Sequence, residues 1–118
     1  MKQKVSDYIA DHIAEWGIRD VFTVTGGGAM HMNDAFGHHP KLHCTYQHHE
    51  QACAMAAEAY ARMDNRMAAV CVTTGPGATN AITGVLGGWM DSIPMLVFSG
   101  RARYATTVAA SGLKLRSM

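Results

Sequence analysis

Met67-Ala68-Ala69-Val70-Cys71-Val72-Thr73 runs straight into Thr74-Gly75-Pro76-Gly77-Ala78-Thr79-Asn80. The first seven residues are apolar nearly throughout, the pattern of a strand covered on both faces. The glycine-rich turn that follows opens a helix expected over 77–89. A doubly covered strand that leads through a turn into a helix is the repeating unit of a parallel α/β sheet with right-handed crossovers.

The same alternation extends in both directions. Val5, Tyr8, Ile9, Ile13 and Trp16 fall on one helical face, and Gly17 follows at a natural helix end, which predicts a helix over 4–16. Residues 21–24 form a β-branched and aromatic run bounded by Asp20 and by Gly26-Gly27-Gly28, and read as a strand. A short helix over 29–36 and a strand over 42–46 come next. His49 to Met63 is the strongest helix, with alanine at six positions and Ala52, Met55, Ala56, Ala59, Tyr60 and Met63 in one stripe. Gly84, Gly87 and Gly88 each cost about 1 kcal/mol against alanine inside the 77–89 helix. Their presence points to tight packing there. A fourth strand is expected over 94–99. Residues 101–118 carry Arg101, Arg103, Lys114 and Arg116 among Ala and Thr, and read as a mobile or partly ordered tail.

Composition narrows the function classes. A chain of 118 residues is one domain at most. A net charge of +1 gives no electrostatic reason to expect nucleic acid or an anionic membrane as a partner. No apolar run approaches the roughly 18 residues of a transmembrane helix, and the N-terminus has no apolar signal core. The default compartment is therefore cytoplasmic. Cys44, Cys53 and Cys71 sit in apolar runs and are expected to be reduced and mostly buried.

In a doubly wound sheet, ligands gather at the carboxyl ends of the strands where the order reverses. With the expected order 2-1-3-4, that point lies between strands one and three. The loops at 25–28 and 74–77 meet there, beside the loop that carries Glu50. Taken singly, each is modest. The glycine triplet is either a tight turn or a close backbone approach to a ligand. Gly75-Pro76-Gly77-Ala78-Thr79-Asn80 resembles a phosphate cradle at a helix N-terminus. No Gly-Lys-Ser/Thr follows, however, so it is not a Walker loop, and no dinucleotide fingerprint is present. Glu50 on position alone complements a helix dipole. His48 and His49 read as polar loop residues. The seven histidines lack zinc-site spacing, so no metal ligands are assigned within this chain.

In order and spacing, four motifs resemble the thiamine diphosphate-dependent enzymes, closest to the acetolactate synthase group. They are Val21-Phe22-Thr23-Val24-Thr25-Gly26-Gly27; His49-Glu50-Gln51-Ala52 with Ala57-Glu58-Ala59-Tyr60-Ala61-Arg62; Thr73-Thr74-Gly75-Pro76-Gly77-Ala78-Thr79-Asn80; and Asp91-Ser92-Ile93-Pro94. The resemblance implies the N-terminal pyrimidine-binding domain over 1–100, a three-layer doubly wound parallel sheet of flavodoxin-like type. It implies that Glu50 activates the aminopyrimidine of thiamine diphosphate, and that Thr25, Gly26, Gly27, Thr73, Gly75 and Asn80 bind the cofactor. The substrate it implies is a 2-ketoacid such as pyruvate. The diphosphate and Mg²⁺ would be held by a separate diphosphate-binding domain of the same or another subunit, since no Gly-Asp-Gly occurs here. Some relatives also carry FAD, which this sequence leaves open.

The family's domain runs longer and has more strands. The chain is therefore expected to be the N-terminal piece of a larger carboligase or decarboxylase, inactive alone, and a homodimer through its Ala- and Gly-rich helices. Two other readings stand beside it. One is a subunit of a two-chain 2-ketoacid decarboxylase, and the other a non-catalytic nucleotide-binding domain of flavodoxin-like fold. Thr25 stands where the family often has proline, Thr23 where it has glycine, and Arg101 where acetolactate synthases usually have glutamine. Residues 111–116 also depart from their usual continuation. These changes fit either a different acceptor, such as a keto sugar, or neutral drift.

Overall fold

The computed structural model describes residues 2–103, so the tail expected over 101–118 falls outside the described residues from position 104 onward. Four parallel strands form one sheet in the order β2-β1-β3-β4. They are β1 (Asp20–Thr23), β2 (His43–Tyr46), β3 (Ala68–Val72) and β4 (Met95–Ser99). Val21 pairs with Cys44 on one side and Ala69 on the other, and Val70 pairs with Val97. The expected order is the one observed.

Helices α1 (Val5–Glu15) and α2 (Met30–His38) cover one face, with a single 3-10 turn at Gly27–Ala29 leading into α2. Helices α3 (Glu50–Asp64) and α4 (Pro76–Met90) cover the other. The result is a three-layer doubly wound α/β domain. Every residue of β3 is buried, as its apolar run requires. Side chains alternate across a strand. Ala69 and Cys71 therefore join Ile13, Ile18, Val21 and Phe36 on the α1/α2 side, while Ala68, Val70 and Val72 meet Cys53, Ala54, Ala57 and Ala81 on the α3/α4 side.

Local chemistry sets the element ends. Gly17, at φ +86°, ends α1. Gly75 precedes α4 at φ +63°, and Pro76 supplies the fixed φ suited to a first helical position. Asn65, at φ 52°, closes α3 in the left-handed region that asparagine tolerates better than most residues.

Two apolar stripes face differently from the simplest expectation. The core side of α1 is Ser6, Ala10 and Ile13, whereas Val5, Tyr8 and Trp16 are exposed. Tyr8, Ile9, His12, Ile13 and Trp16 instead border a groove beside Leu96 and Phe98. Likewise α3 buries Cys53, Ala54, Ala57 and Ala61, and leaves Ala52, Met55, Ala59 and Met63 outside. Both helices are rotated because a neighbouring element, absent from a one-dimensional pattern, decides which residues it covers. The small residues of α3 and α4 close-pack these two helices against each other. A Cβ placed on Gly84 would lie 2.6 Å from the Ala54 Cβ and 2.9 Å from the Met55 amide nitrogen.

Candidate functional site

Glu50 is the first residue of α3, at the carboxyl edge of the sheet, and is half-buried. His49 immediately before it holds the helix start. Its Nδ1 accepts the Gln51 N–H at 3.1 Å. Histidine is not an ordinary capping residue, which is why sequence reasoning took it for a loop side chain. One Glu50 carboxylate oxygen, Oε2, accepts from the Asn80 side-chain amide at 3.1 Å. The other, Oε1, lies beside Gly77, where an added Cβ would come within 3.5 Å of it. Two helix N-termini thus flank one carboxylate.

Thr73 ties the two glycine loops together. Its hydroxyl accepts the Gly28 N–H at 3.1 Å. Gly26 has no room for a side chain, because a Cβ there would fall 2.5 Å from the Thr73 Cβ. Thr73 also packs toward Gly77. Gly27 faces open space, and Gly75 is required by its positive φ rather than by crowding. Thr25 is exposed at the same edge. The structure therefore brings Thr25, Gly26, Gly27, Thr73, Gly75 and Asn80 to the edge that carries Glu50. It gives Gly26 and Thr73 to loop–loop packing, and Asn80 to the carboxylate.

A fourth segment joins them. After β4, Gly100 donates its N–H to the Val72 carbonyl at 2.8 Å, and Arg101 donates to the Gly28 carbonyl at 3.2 Å. Gly100 passes against the Gly28 backbone too closely for any side chain. Sequence reasoning missed this contact, although Ser99-Gly100 directly after a strand was its signal.

Thr23 is 2% exposed. Its hydroxyl donates to the Cys71 carbonyl at 2.7 Å, which satisfies the buried oxygen. The cysteines are free. Burial, and secondarily the Glu50 charge, push the Cys53 thiol up to about 11. Burial likewise raises Cys71 to about 11. Such thiols are protonated near neutral pH and make poor nucleophiles. A 470 Å³ groove between α4 and β4, lined by Ile82, Leu86, Trp89 and Val97 among others, is almost wholly apolar and holds no titratable group. Polar side chains converge instead at the Glu50 edge, where Asn80 meets the carboxylate. No helix among the described residues is long and apolar enough to cross a membrane.

A doubly wound sheet with a carboxylate and two glycine turns at its switch point defines a cofactor-binding α/β domain. Residues 3–114 match the family described as thiamine pyrophosphate enzyme, N-terminal TPP binding domain, and the chain belongs to that family. It is 35% identical over 96 residues to the acetolactate synthase large subunit of Lactococcus lactis, covering 81% of this chain and 17% of that protein. It is 36% identical over 99 residues to the chloroplastic acetolactate synthase 2 of Zea mays, covering 84% and 16%. Against the acetolactate synthase large subunit of Buchnera aphidicola subsp. Schizaphis graminum, identity is 44% over 85 residues, covering 72% and 15%. The chain thus spans about a sixth of the length of these relatives.

Proposed function

We propose that this domain is the pyrimidine-side half of a thiamine diphosphate-dependent, acetolactate synthase-like enzyme that acts on a 2-ketoacid such as pyruvate. The observation that carries the reading is the Glu50 carboxylate at the carboxyl edge of the sheet, with Oε2 held by Asn80 and Oε1 beside the side-chain-free Gly77.

The residues present fit an aminopyrimidine. A carboxylate with one oxygen held by a neutral donor and the other next to glycine can hold a proton at a ring nitrogen. When bound, thiamine diphosphate supplies the electron sink for loss of carbon dioxide from the 2-ketoacid. The part assigned to this chain is narrower. Glu50, through Oε1, would hold a proton at a ring nitrogen of the aminopyrimidine. The loops at Thr25–Gly27 and Thr73–Gly75 shape the pyrimidine side. The diphosphate and Mg²⁺ belong, in this reading, to a diphosphate-binding domain of the same or another subunit. The domain is then inactive by itself. Self-association through α3 and α4 into a homodimer is part of the same proposal, with the exposed Met55 and Met63 on α3 and Leu86 and Met90 on α4 as apolar surface to cover.

The test is carbon dioxide release from pyruvate by the protein assembled with a diphosphate-binding domain, thiamine diphosphate and Mg²⁺. Glu50→Gln is expected to lower the rate by about 10²- to 10⁴-fold, the range of general acid–base catalysis. Unchanged release in Glu50→Gln overturns the reading, and so does turnover by the 118-residue chain alone.

A further inference from the structure

We infer that Asn80 is a positioning residue for Glu50, and that a ladder of rungs between α3 and α4 sets its reach. Residues four apart lie on one face of a helix, one turn above the other. On α3, Glu50, Ala54 and Glu58 occupy such a row. On α4, Asn80, Gly84 and Gly88 occupy another. The two rows meet at their first two rungs. Asn80 Nδ2 donates to Glu50 Oε2 at 3.1 Å. Gly84 faces the Ala54 Cβ and the Met55 backbone. Gly87 faces the Glu58 carboxylate, while Gly88 packs first against the Met95 side chain of β4 and only more distantly against Glu58.

The second rung explains the first. Asparagine is short, and its amide reaches a carboxylate on the neighbouring helix only where the two backbones approach closely. Gly84 permits that approach, because any side chain there would collide with Ala54 and the Met55 backbone. Gly84, which weakens α4 as a helix, therefore places that helix's second turn against the first residue of α3.

The choice of amide also has a chemical reason. An amide donor orients a carboxylate without adding a positive charge beside it. A lysine or arginine at position 80 would favour the charged carboxylate and oppose sharing of a proton. An aspartate would offer no donor when ionised and would add a like charge. A neutral hydrogen-bond donor instead orients the carboxylate and leaves Oε1 open to a ligand. This role differs from direct contact with the cofactor, and it rests on the function proposed above for Glu50.

The experiment has two arms. On the chain without cofactor, NMR follows the Asn80 side-chain amide protons and the Glu50 carboxyl carbon. Glu50→Gln is expected to shift the first, and Asn80→Ala the second. Absence of both shifts overturns the inference, whatever the enzyme does. On the protein assembled with its diphosphate-binding domain, thiamine diphosphate, Mg²⁺ and pyruvate, Asn80→Ala is expected to lower the maximal rate about tenfold or more, as loss of a hydrogen bond to a charged group implies. Thiamine diphosphate affinity should hold within about threefold, less than a lost cofactor hydrogen bond would cost. Asn80→Ser, which keeps a neutral donor, should recover part of the rate, and Asn80→Asp should not. Weakened cofactor binding at an unchanged maximal rate overturns the inference, making Asn80 a cofactor contact instead. If Glu50→Gln leaves the rate intact while the NMR shifts appear, the proposed function has failed and the positioning contact stands.

Discussion

The two faces of the sheet are built on opposite principles. Against α1 and α2, the core is filled by large side chains: Ile13, Ile18, Val21 and Phe36, with the Phe36 and Phe98 rings 5.3 Å apart and edge to face. Against α3 and α4, the buried helix residues are alanine, cysteine and glycine, and the bulk comes from Val70 and Val72 of β3 with the partly buried Phe22, Tyr60 and Met95. One face obtains its stability from volume. The other gives up volume to bring two helix backbones together, and the candidate site lies at the end of that close approach. The contrast teaches where each face fails: the first through removal of atoms, the second through their addition.

Four measurements probe the two faces. The largest expected effect is on the bulky face. Phe36→Ala removes a ring that is 1% exposed and should cost about 3–5 kcal/mol in urea unfolding. A cost below about 1 kcal/mol, no more than an ordinary surface change, would mean that this face collapses around the void. Next comes the small-residue face. Gly84→Val adds atoms where a Cβ already meets the α3 backbone, and should cost about 2–3 kcal/mol. Where the variant still folds, it should also displace the Asn80 amide resonances. Retained stability with unmoved resonances would show that α3 and α4 are not held by the ladder.

The third effect depends on pH and samples both faces, because Cys71 belongs to one and Cys53 to the other. Burial lifts both thiols from an ordinary 9.0 to about 11. A raised pKa contributes stability that is complete below the unfolded value and is lost as pH climbs toward the folded one. Unfolding free energy should therefore fall between pH 9 and 11, since the unfolded chain sheds thiol protons that the folded chain keeps. Comparing urea midpoints at the two ends of that window checks it. The Cys53→Ala, Cys71→Ala double variant should show a flatter decline than the parent. Equal declines would sink the idea.

The smallest effect is local. Ser92 follows α4 at φ 56°, where a non-glycine residue is strained. The turn around it is otherwise well bonded, with Ser92 N–H donating to the Trp89 carbonyl and Ile93 N–H to that of Gly88. Ser92→Gly should raise stability by about 1 kcal/mol. A lower melting temperature would mean that the serine side chain contributes more than the backbone strain costs.

Much of the fold was legible from residues. The apolar run of β3 announced a strand covered on both faces, and Gly75-Pro76 marked the start of α4 to within a residue. The loops that meet at the carboxyl edge followed from strand order alone, and Glu50 stood out through the motif around it. What was not legible is where side chains spend their hydrogen bonds. Thr73 and Asn80 read as two residues lining a pyrimidine side. In space, the first clamps Gly28 and the second holds Glu50. The stripes of α1 and α3 were legible, but what covers them was not, because helical periodicity shows that residues share a face and not which neighbour covers it.

The element types, their order, the parallel sheet and the family can be read along the chain, because apolar periodicity, glycine turns and short motifs are properties of sequence neighbours. Only the tertiary structure decided that α3 and α4 touch through Ala54 and Gly84, that Gly100 packs on Gly28, and that Asn80 reaches Glu50 across 30 positions of sequence. Those facts depend on the distance between backbones, which is fixed when whole elements pack and is written in no single segment.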